Sequence, residues 1–252
     1  MSMTSPVISL IVPCFNEQKR VKESIEAIAT FFSAEEDAFE IVVVDDGSTD
    51  RTASIVETLI ASNPSLVKNA RLIRVGHKGK GWAVRNGMVN SKARYRFISD
   101  LDLSVPLTHI KDFVKSMKSG ADVVIASRQL DGSQRLNEPR RRFLASRFFN
   151  QIIRRFLLLG VSDSQCGFKG FTADTADAIF SVQCLNGYCF DPEVLFIAKK
   201  MNYTVIERPV IWTHQASSKI NLKVDSIKML WDLFRIRIYS MMGKYTQRNR
   251  RI

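Results

Sequence analysis

Residues 40–50, EIVVVDDGSTD, join an apolar run, a pair of acids and a turn signal within one short stretch. A short continuous apolar run bounded by turn residues is typical of a fully buried strand. The residues Gly-Ser-Thr-Asp favour a turn followed by a helix, for which Asp50 is a good N-cap. The stretch therefore predicts a strand, a turn and a helix in succession, with Asp45 and Asp46 at the carboxyl end of the strand.

The same order of signals repeats through the first half of the chain. Further apolar strands are predicted at residues 7–13, 70–75, 95–102 and 122–128, with helical segments between them. Buried strands separated by amphipathic helices are typical of an α/β fold, with a mostly parallel sheet covered by helices on both faces. Ligands of such sheets bind beyond the carboxyl ends of the strands, so we expect the functional site there.

Two further acids, Asp100 and Asp102, lie at the end of the fourth predicted strand. Carboxylates at positions i and i+2 can share a divalent cation such as Mg²⁺ or Mn²⁺, which in turn can bind a diphosphate. Most such acid pairs are solvated loop residues, but the position after a buried strand favours a metal site. We expect these acids to share one edge of the sheet with Asp45, Asp46 and Arg128.

A glycine-rich stretch, GHKGKG at residues 76–81, precedes a predicted helix. Its glycines have the spacing of neither a dinucleotide-binding fingerprint nor a phosphate-binding P-loop. Lys80 and Arg85 are candidate contacts for phosphate groups. The alternative is that both side chains belong to a solvated helix face.

The charge of the chain is unevenly distributed. Its 37 Lys and Arg residues against 25 Asp and Glu give a formal net charge of +12, and the basic residues concentrate after residue 128. A basic surface favours a polyanionic partner: nucleic acid, an anionic membrane surface or a phosphorylated substrate. The four cysteines lack the spacing of a zinc site, and no apolar run is long enough to span a bilayer. These features predict a protein of the reducing cytoplasm.

Seven motifs occur in the order found in the inverting glycosyltransferases of family 2: LIVPCFNE, VVVDDGSTD, KGKGWAVRNGM, DLD, ASR, DSQCGFKGF and FDPEVLF. The run of QCGFK, FDPEVLFIAKK and W-x(5)-SK resembles the dolichyl-phosphate β-glucosyltransferases in particular, and then the dolichyl-phosphate mannose synthases. The resemblance covers about residues 7–245. It implies a Rossmann-like GT-A fold in one domain, with residues 1–128 binding a nucleotide-sugar and residues 129–252 facing the acceptor and the membrane. It also implies a divalent metal, Mg²⁺ or Mn²⁺.

The resemblance implies UDP-glucose as the donor, with GDP-mannose as the alternative, and an isoprenyl phosphate such as dolichyl or polyprenyl phosphate as the acceptor. The donor would be bound by Pro13, Asn16, Glu17, Asp45, Asp46, Lys80, Arg85, Asp100, Asp102, Arg128 and Gln165. Asp100 and Asp102 would hold the metal, with Ser104 near it. The acceptor phosphate would be bound by Lys169, Ser218, Lys219 and Arg142.

The resemblance also places an acidic pair, Asp191 and Glu193, where related enzymes have a general base. A lipid phosphate is already largely ionised at neutral pH, so it needs positioning and charge compensation more than deprotonation. We therefore expect Arg128 and Lys169 to matter more for catalysis than Asp191, which would orient a cation or the sugar. The alternative is that Asp-Pro-Glu simply starts a helix.

Two basic, aromatic-rich helices are predicted at residues 140–159 and 225–242. They would attach the protein peripherally to the cytosolic face of an anionic membrane, with arginines at the headgroups. Phe148, Phe149, Phe156, Trp231 and Phe234 would contact lipid; the alternative is that these side chains pack in the core. A separate membrane-anchoring partner is also compatible with this picture.

Two other functions are less well supported. A nucleic-acid-binding module would use the basic second half, but the acids of the first half would have no purpose and would repel the phosphate backbone. A family 2 transferase with a soluble or polysaccharide acceptor would normally carry a QxxRW motif, which is absent from the sequence.

Overall fold

The computed structural model describes residues 6–35, 37–157, 159–215 and 222–246. Its strands are β1 (Ile8–Cys14), β2 (Phe39–Asp45), β3 (Ala70–Arg74), β4 (Tyr95–Ile98), β5 (Val123–Ser127), β6 (Gln134–Leu136), β7 (Lys169–Thr172), β8 (Val205–Pro209) and β9 (Ile211–Thr213). Its helices are α1 (Val21–Ser33), α2 (Thr52–Ser62), α3 (Pro64–Asn69), α4 (Lys80–Asn90), α5 (His109–Lys118), α6 (Arg140–Leu157), α7 (Ala173–Val182), α8 (Phe190–Lys200) and α9 (Leu222–Met241).

The main sheet has seven strands in the order β3-β2-β1-β4-β7-β5-β8. All neighbouring strands pair in parallel except β7, which is antiparallel to both β4 and β5. A separate parallel pair joins β6 and β9. The predicted mostly parallel α/β sheet is confirmed. The antiparallel strand β7, the edge strand β8 and the separate pair of β6 and β9 were not predicted. The strand β4 ends at Ile98, so the prediction that it continues to residue 102 is wrong, and Asp100 and Asp102 lie beyond the strand.

Helices cover both faces of the sheet, as predicted. One apolar cluster packs α1, α2, α3 and α5 against the sheet, and the other packs α4, α6, α7, α8 and α9 against the opposite face. The helix α4 lies especially close to β1, because a Cβ atom on Gly87 would come within 2.4 Å of the Ile11 side chain. This close approach packs α4 directly against the face of the sheet.

The helices α6 and α9 pack against each other through an edge-on contact between Phe156 and Phe234, whose ring centroids are 4.9 Å apart. Arg237 on α9 also donates to the carbonyl oxygen of Phe156. None of the helices in the described segments has an apolar run that would reach across a bilayer. The division of the chain into two functional halves at residue 128 stays a prediction.

Candidate active site

The carboxyl ends of β1, β2, β4 and β5 meet at one edge of the sheet, because these four strands run in the same direction. This edge brings together the loops that carry Asp45, Asp46, Asp100, Asp102 and Arg128. The sequence prediction of a common edge therefore agrees with the topology of the sheet.

At the end of β2, two buried carboxylates organise the neighbouring loops. Asp46 accepts hydrogen bonds from the backbone N–H groups of Lys78 at 3.0 Å and Gly79 at 2.8 Å, and its Oδ2 lies 2.8 Å from Nδ1 of His77. Asp45 accepts from the backbone and hydroxyl of Ser48. The two acids thus hold the turn after β2 and the glycine-rich stretch in place.

The segment after β1 is tied to the same turn. Asn16, with a positive φ of 51°, accepts from the backbone N–H of Thr49 at 2.8 Å through its side-chain oxygen. The backbone N–H of Glu17 donates to the Thr52 hydroxyl at 2.7 Å. Pro13 is half-buried within β1. The predicted nucleoside-binding residues are therefore brought together at the ends of β1 and β2.

A close ion pair joins the glycine-rich stretch to the acid pair after β4. Nζ of Lys80 lies 2.6 Å from Oδ1 of Asp100. Lys80 is the first residue of α4, and Gly79 before it has a φ of 119°. A Cβ on Gly79 would lie 2.6 Å from the carbonyl oxygen of Asn186, so only glycine fits between this turn and the loop before α8.

A second ion pair, between Lys169 and Asp191, lies nearby and is buried. Lys169 also donates to the carbonyl oxygen of Cys166. Burial raises the pKa of Asp191, although Lys169 and Lys80 oppose the rise. Burial lowers the pKa of Lys80, but Asp100, Asp191 and Asp102 together outweigh it, so the net pKa of Lys80 is raised. Two amines and three carboxylates therefore lie close together at this edge, and each amine offsets the charge of one carboxylate.

The two acids of the Asp-Pro-Glu motif face different surroundings. Glu193 is fully buried and accepts from the backbone N–H groups of Cys184 at 3.0 Å and Leu185 at 2.9 Å. It also accepts from the Tyr245 hydroxyl at 2.7 Å. Burial raises the pKa of Glu193, and these donors oppose the rise. Glu193 thus fixes the loop before α8, and only Asp191 reaches the ion pairs of the site.

Arg128 lies just beyond β5 and is held by a carboxylate that sequence reasoning missed. Its Nε and Nη2 donate to the two oxygens of Asp163 at 2.7 and 3.0 Å, and its backbone N–H donates to the same carboxylate at 3.0 Å. Burial acts to raise the pKa of Asp163, but Arg128 lowers it to about 2. The guanidinium also lies over the Trp212 ring, 5.3 Å from its centroid. In the sequence Asp163 is the first residue of the motif DSQCGFKGF, and it accepts a hydrogen bond from the backbone N–H of Gln165.

Other predicted residues lie away from this cluster or outside the described residues. Arg85 donates hydrogen bonds to the carbonyl oxygens of Phe180 and Ser181 at the end of α7, so its guanidinium joins α4 to α7. Ser218 and Lys219 lie outside the described residues, as does the side chain of Arg142. A cavity of about 510 Å³ is lined by Ile8, at the start of β1, and by α1 and α5; it contains none of the groups of the site.

The acid pair after β4 suits a hard divalent cation. Asp100 and Asp102 supply carboxylate oxygens from one turn, and Oδ1 of Asp102 accepts from the buried Ser104 N–H at 3.0 Å. Within the described segments, no three His, Cys, Asp or Glu side chains are grouped so that they could hold a metal by themselves. Two carboxylates are typical of Mg²⁺ sites that are completed by water and substrate phosphates. The donor set therefore fits Mg²⁺ or Mn²⁺.

The fold and this edge define the class of protein. The sequence model of the family described as Glycosyl transferase family 2 matches residues 9–180. The chain belongs to glycosyltransferase family 2 and is a hexosyltransferase, as predicted. Solved structures support the fold: glucosyl-3-phosphoglycerate synthase from Mycobacterium tuberculosis, in complex with Mn²⁺, UDP-glucose and phosphoglyceric acid, has a TM-score of 0.64 at 18% identity. The match covers 92% of this chain and 79% of that one.

Within the family, the chain is similar to particular glucosyltransferases. It is 32% identical to the dolichyl-phosphate β-glucosyltransferase of Dictyostelium discoideum, over 94% of this chain and 75% of that protein. It is 28% identical to the enzyme of the same name from Saccharomyces cerevisiae, over 94% of this chain and 76% of that protein. The resemblance seen in the sequence motifs is confirmed.

Proposed function

We propose that this protein transfers glucose from UDP-glucose to an isoprenyl phosphate, with inversion at the anomeric carbon, at the cytosolic face of a membrane. The observation that carries the proposal is the extent of the similarity. The family model ends at residue 180, whereas the named dolichyl-phosphate β-glucosyltransferases match 94% of the chain. The similarity to these enzymes therefore extends beyond the part that family 2 members share in general.

The described residues are suited to an anionic nucleophile. A lipid phosphate needs no base to remove a proton before it attacks, because it is already ionised at neutral pH. It needs positively charged contacts, and Lys169 and Arg128 are the residues proposed to make them. Asp191 and Asp163 each hold one of these cations in place, and a cation held beforehand needs little reorganisation when the acceptor binds. In this proposal Asp191 orients Lys169 and does not act as a general base.

The donor would lie along the ends of β1, β2 and β4. The loops held by Asp45 and Asp46 would receive the nucleoside, and Lys80 at the amino end of α4 would face the diphosphate, since helix amino ends favour anions. A divalent cation bound by Asp100 and Asp102 would supply positive charge to the diphosphate leaving group. Arg85 has no part in this site, because its guanidinium is bonded to the end of α7.

The helices α6 and α9 would hold the protein on the membrane. Leu144 and Phe148 on α6 and Trp231 and Phe234 on α9 are more than half exposed, while the opposite faces of both helices are buried in the core. Large exposed apolar side chains beside arginines are typical of helices that lie in a membrane interface. Phe149 and Phe156 are half-buried and pack against the core, so the proposed lipid contact rests on the other three predicted residues.

Release of the nucleotide tests this function. The purified protein would be incubated in detergent with UDP-glucose or GDP-mannose, with and without polyprenyl phosphate, and with EDTA as a control. We expect UDP release that requires both the lipid phosphate and free divalent metal, and loss of that release in Asp102→Asn. Release of GDP but not UDP would show that the donor is GDP-mannose and the transferred sugar is mannose. Release that ignores the lipid phosphate but responds to a soluble acceptor would overturn the proposal.

A further inference from the structure

Lys80 occupies a position that conflicts with metal binding. Its ammonium group lies 2.6 Å from Oδ1 of Asp100, one of the two carboxylates that suit a divalent cation. An ammonium group at this distance opposes a second cation on the same oxygen, since like charges repel each other. Of the two acids after β4, Asp102 is the one that is not in this contact.

The pair is fixed from both sides. A Cβ on Gly167 would lie 2.2 Å from Oδ2 of Asp100, so the loop before β7 presses directly on the carboxylate. On the other side, Gly79 and Gly81 fit against the backbone of residues 185–187, where a Cβ on Gly81 would lie 2.5 Å from the carbonyl oxygen of Leu185. The contact between Lys80 and Asp100 thus follows from the packing of two loops against α4.

The charges around Lys80 also favour this arrangement. Its ammonium group is attracted by the carboxylates of Asp100, Asp102 and Asp191. When no other cation is bound, the positive charge of Lys80 offsets part of the negative charge of Asp100 and Asp102. The partner of Asp191 is Lys169. Lys80 is therefore the amine whose departure would free a carboxylate for a metal, and its long, flexible stem allows it to find another anion.

We propose that Lys80 is an internal counter-cation that couples metal binding to donor binding. In the absence of a nucleotide it holds Asp100 and opposes a divalent cation. When a nucleoside diphosphate arrives, Lys80 pairs with the diphosphate and Asp100 becomes available to the metal. The inference rests on the proposed function in naming the diphosphate, and it makes Lys80 a positioning residue that sets the order in which the site fills. A metal alone binds weakly, and the metal and the nucleotide together bind tightly.

Binding of Mn²⁺ tests the inference without an activity assay. Free Mn²⁺ is measured by electron paramagnetic resonance, first with Mn²⁺ alone and then with UDP. In Lys80→Met no ammonium group competes with the metal for Asp100. The affinity of this variant for Mn²⁺ alone should therefore be about tenfold higher than that of the wild type. UDP should tighten Mn²⁺ binding less in this variant than in the wild type. A merely structural role would weaken both affinities together.

Matched variants make the result specific. Lys78→Met is the control, because it removes the same charge two residues away from Lys80. The Lys78 ammonium group lies over the Trp82 ring, 4.3 Å from its centroid. The Lys78→Met variant should therefore bind Mn²⁺ with the wild-type affinity. Lys80→Arg keeps the charge and should bind Mn²⁺ alone as weakly as the wild type. Lys80→Gln provides a second neutral variant, and circular dichroism confirms that each variant is folded.

The outcomes separate the inference from the function on which it rests. In one outcome, the wild type binds Mn²⁺ together with UDP, and Asp102→Asn abolishes this binding, so the donor site stands. If both neutral Lys80 variants then bind Mn²⁺ alone no more tightly than the wild type, the proposed coupling is wrong. If UDP does not promote Mn²⁺ binding in any variant, the donor site fails, and the coupling fails with it.

Discussion

The Arg128–Asp163 pair gives a quantitative prediction for Asp163→Asn. Asp163 is almost completely buried, and its carboxylate accepts three hydrogen bonds from Arg128. Its pKa falls from an ordinary value of 3.8 to about 2, and each pKa unit is worth about 1.4 kcal/mol, so the charged form contributes about 2–3 kcal/mol to stability. Leaving Arg128 buried without its partner adds to the loss, so we expect Asp163→Asn to be destabilised by about 3–5 kcal/mol at pH 7.

Urea denaturation of the wild type, Asp163→Asn and the control Asp131→Asn measures this loss. Asp131 is an exposed acid in a neighbouring turn, and its replacement should change stability by no more than about 0.5 kcal/mol. The same measurements at lower pH test the sign. Because the pKa of Asp163 is lower in the folded state, its contribution is present above pH 4 and is lost as the pH falls towards 2, so the gap between the wild type and Asp163→Asn should narrow. A loss below about 1 kcal/mol at pH 7 would show that the pairing of Asp163 with Arg128 contributes little to stability.

Three further variants test other parts of the structure. Tyr245→Phe removes a hydrogen bond to the buried Glu193 and should lower the free energy of unfolding by about 1–2 kcal/mol in urea denaturation; unchanged stability would contradict the contact. Arg85→Ala loses its hydrogen bonds to the end of α7, so it should be destabilised by about 1 kcal/mol. Its KM for UDP-glucose should stay unchanged; a large rise in KM would show that Arg85 contributes to donor binding. Phe148→Glu should lose sedimentation with anionic liposomes but keep its activity in detergent. Val89, on α4, is also an exposed apolar residue, and Val89→Glu should keep both properties; equal sedimentation of the two variants would contradict the proposed membrane contact.

The sheet could be predicted from the sequence because its signals are local. The apolar runs of β1, β2 and β5 are each bounded by turn residues, and the acids that follow β2 and β4 predict the edge of the sheet where a ligand would bind. The strand β7 was missed because its four residues, KGFT, form a strand only through pairing with β4 and β5. No periodicity within so short a segment could have indicated this.

The parts of the site that were missed depend on contacts between distant residues. Asp163 reaches Arg128, and Tyr245 reaches Glu193, across long stretches of chain, so neither partner could be read from spacing. Arg85 matched a motif that suggested phosphate binding, but its role is set by the packing of α4 beside α7. Asp191 and Glu193 are two residues apart, yet the turn at the start of α8 directs them to different surroundings.

In the proposed function the acceptor is a lipid phosphate, and transfer of labelled glucose tests this most directly. The protein is given UDP-glucose labelled in the sugar, Mn²⁺ and either polyprenyl phosphate or the corresponding polyprenol, and the label in the organic phase is measured. We predict that label enters the organic phase when the acceptor is polyprenyl phosphate. None should enter it when the acceptor is polyprenol, or when the enzyme is Asp102→Asn. Equal transfer to polyprenol, or transfer only to a water-soluble acceptor, would show that the enzyme does not require a lipid phosphate as its acceptor.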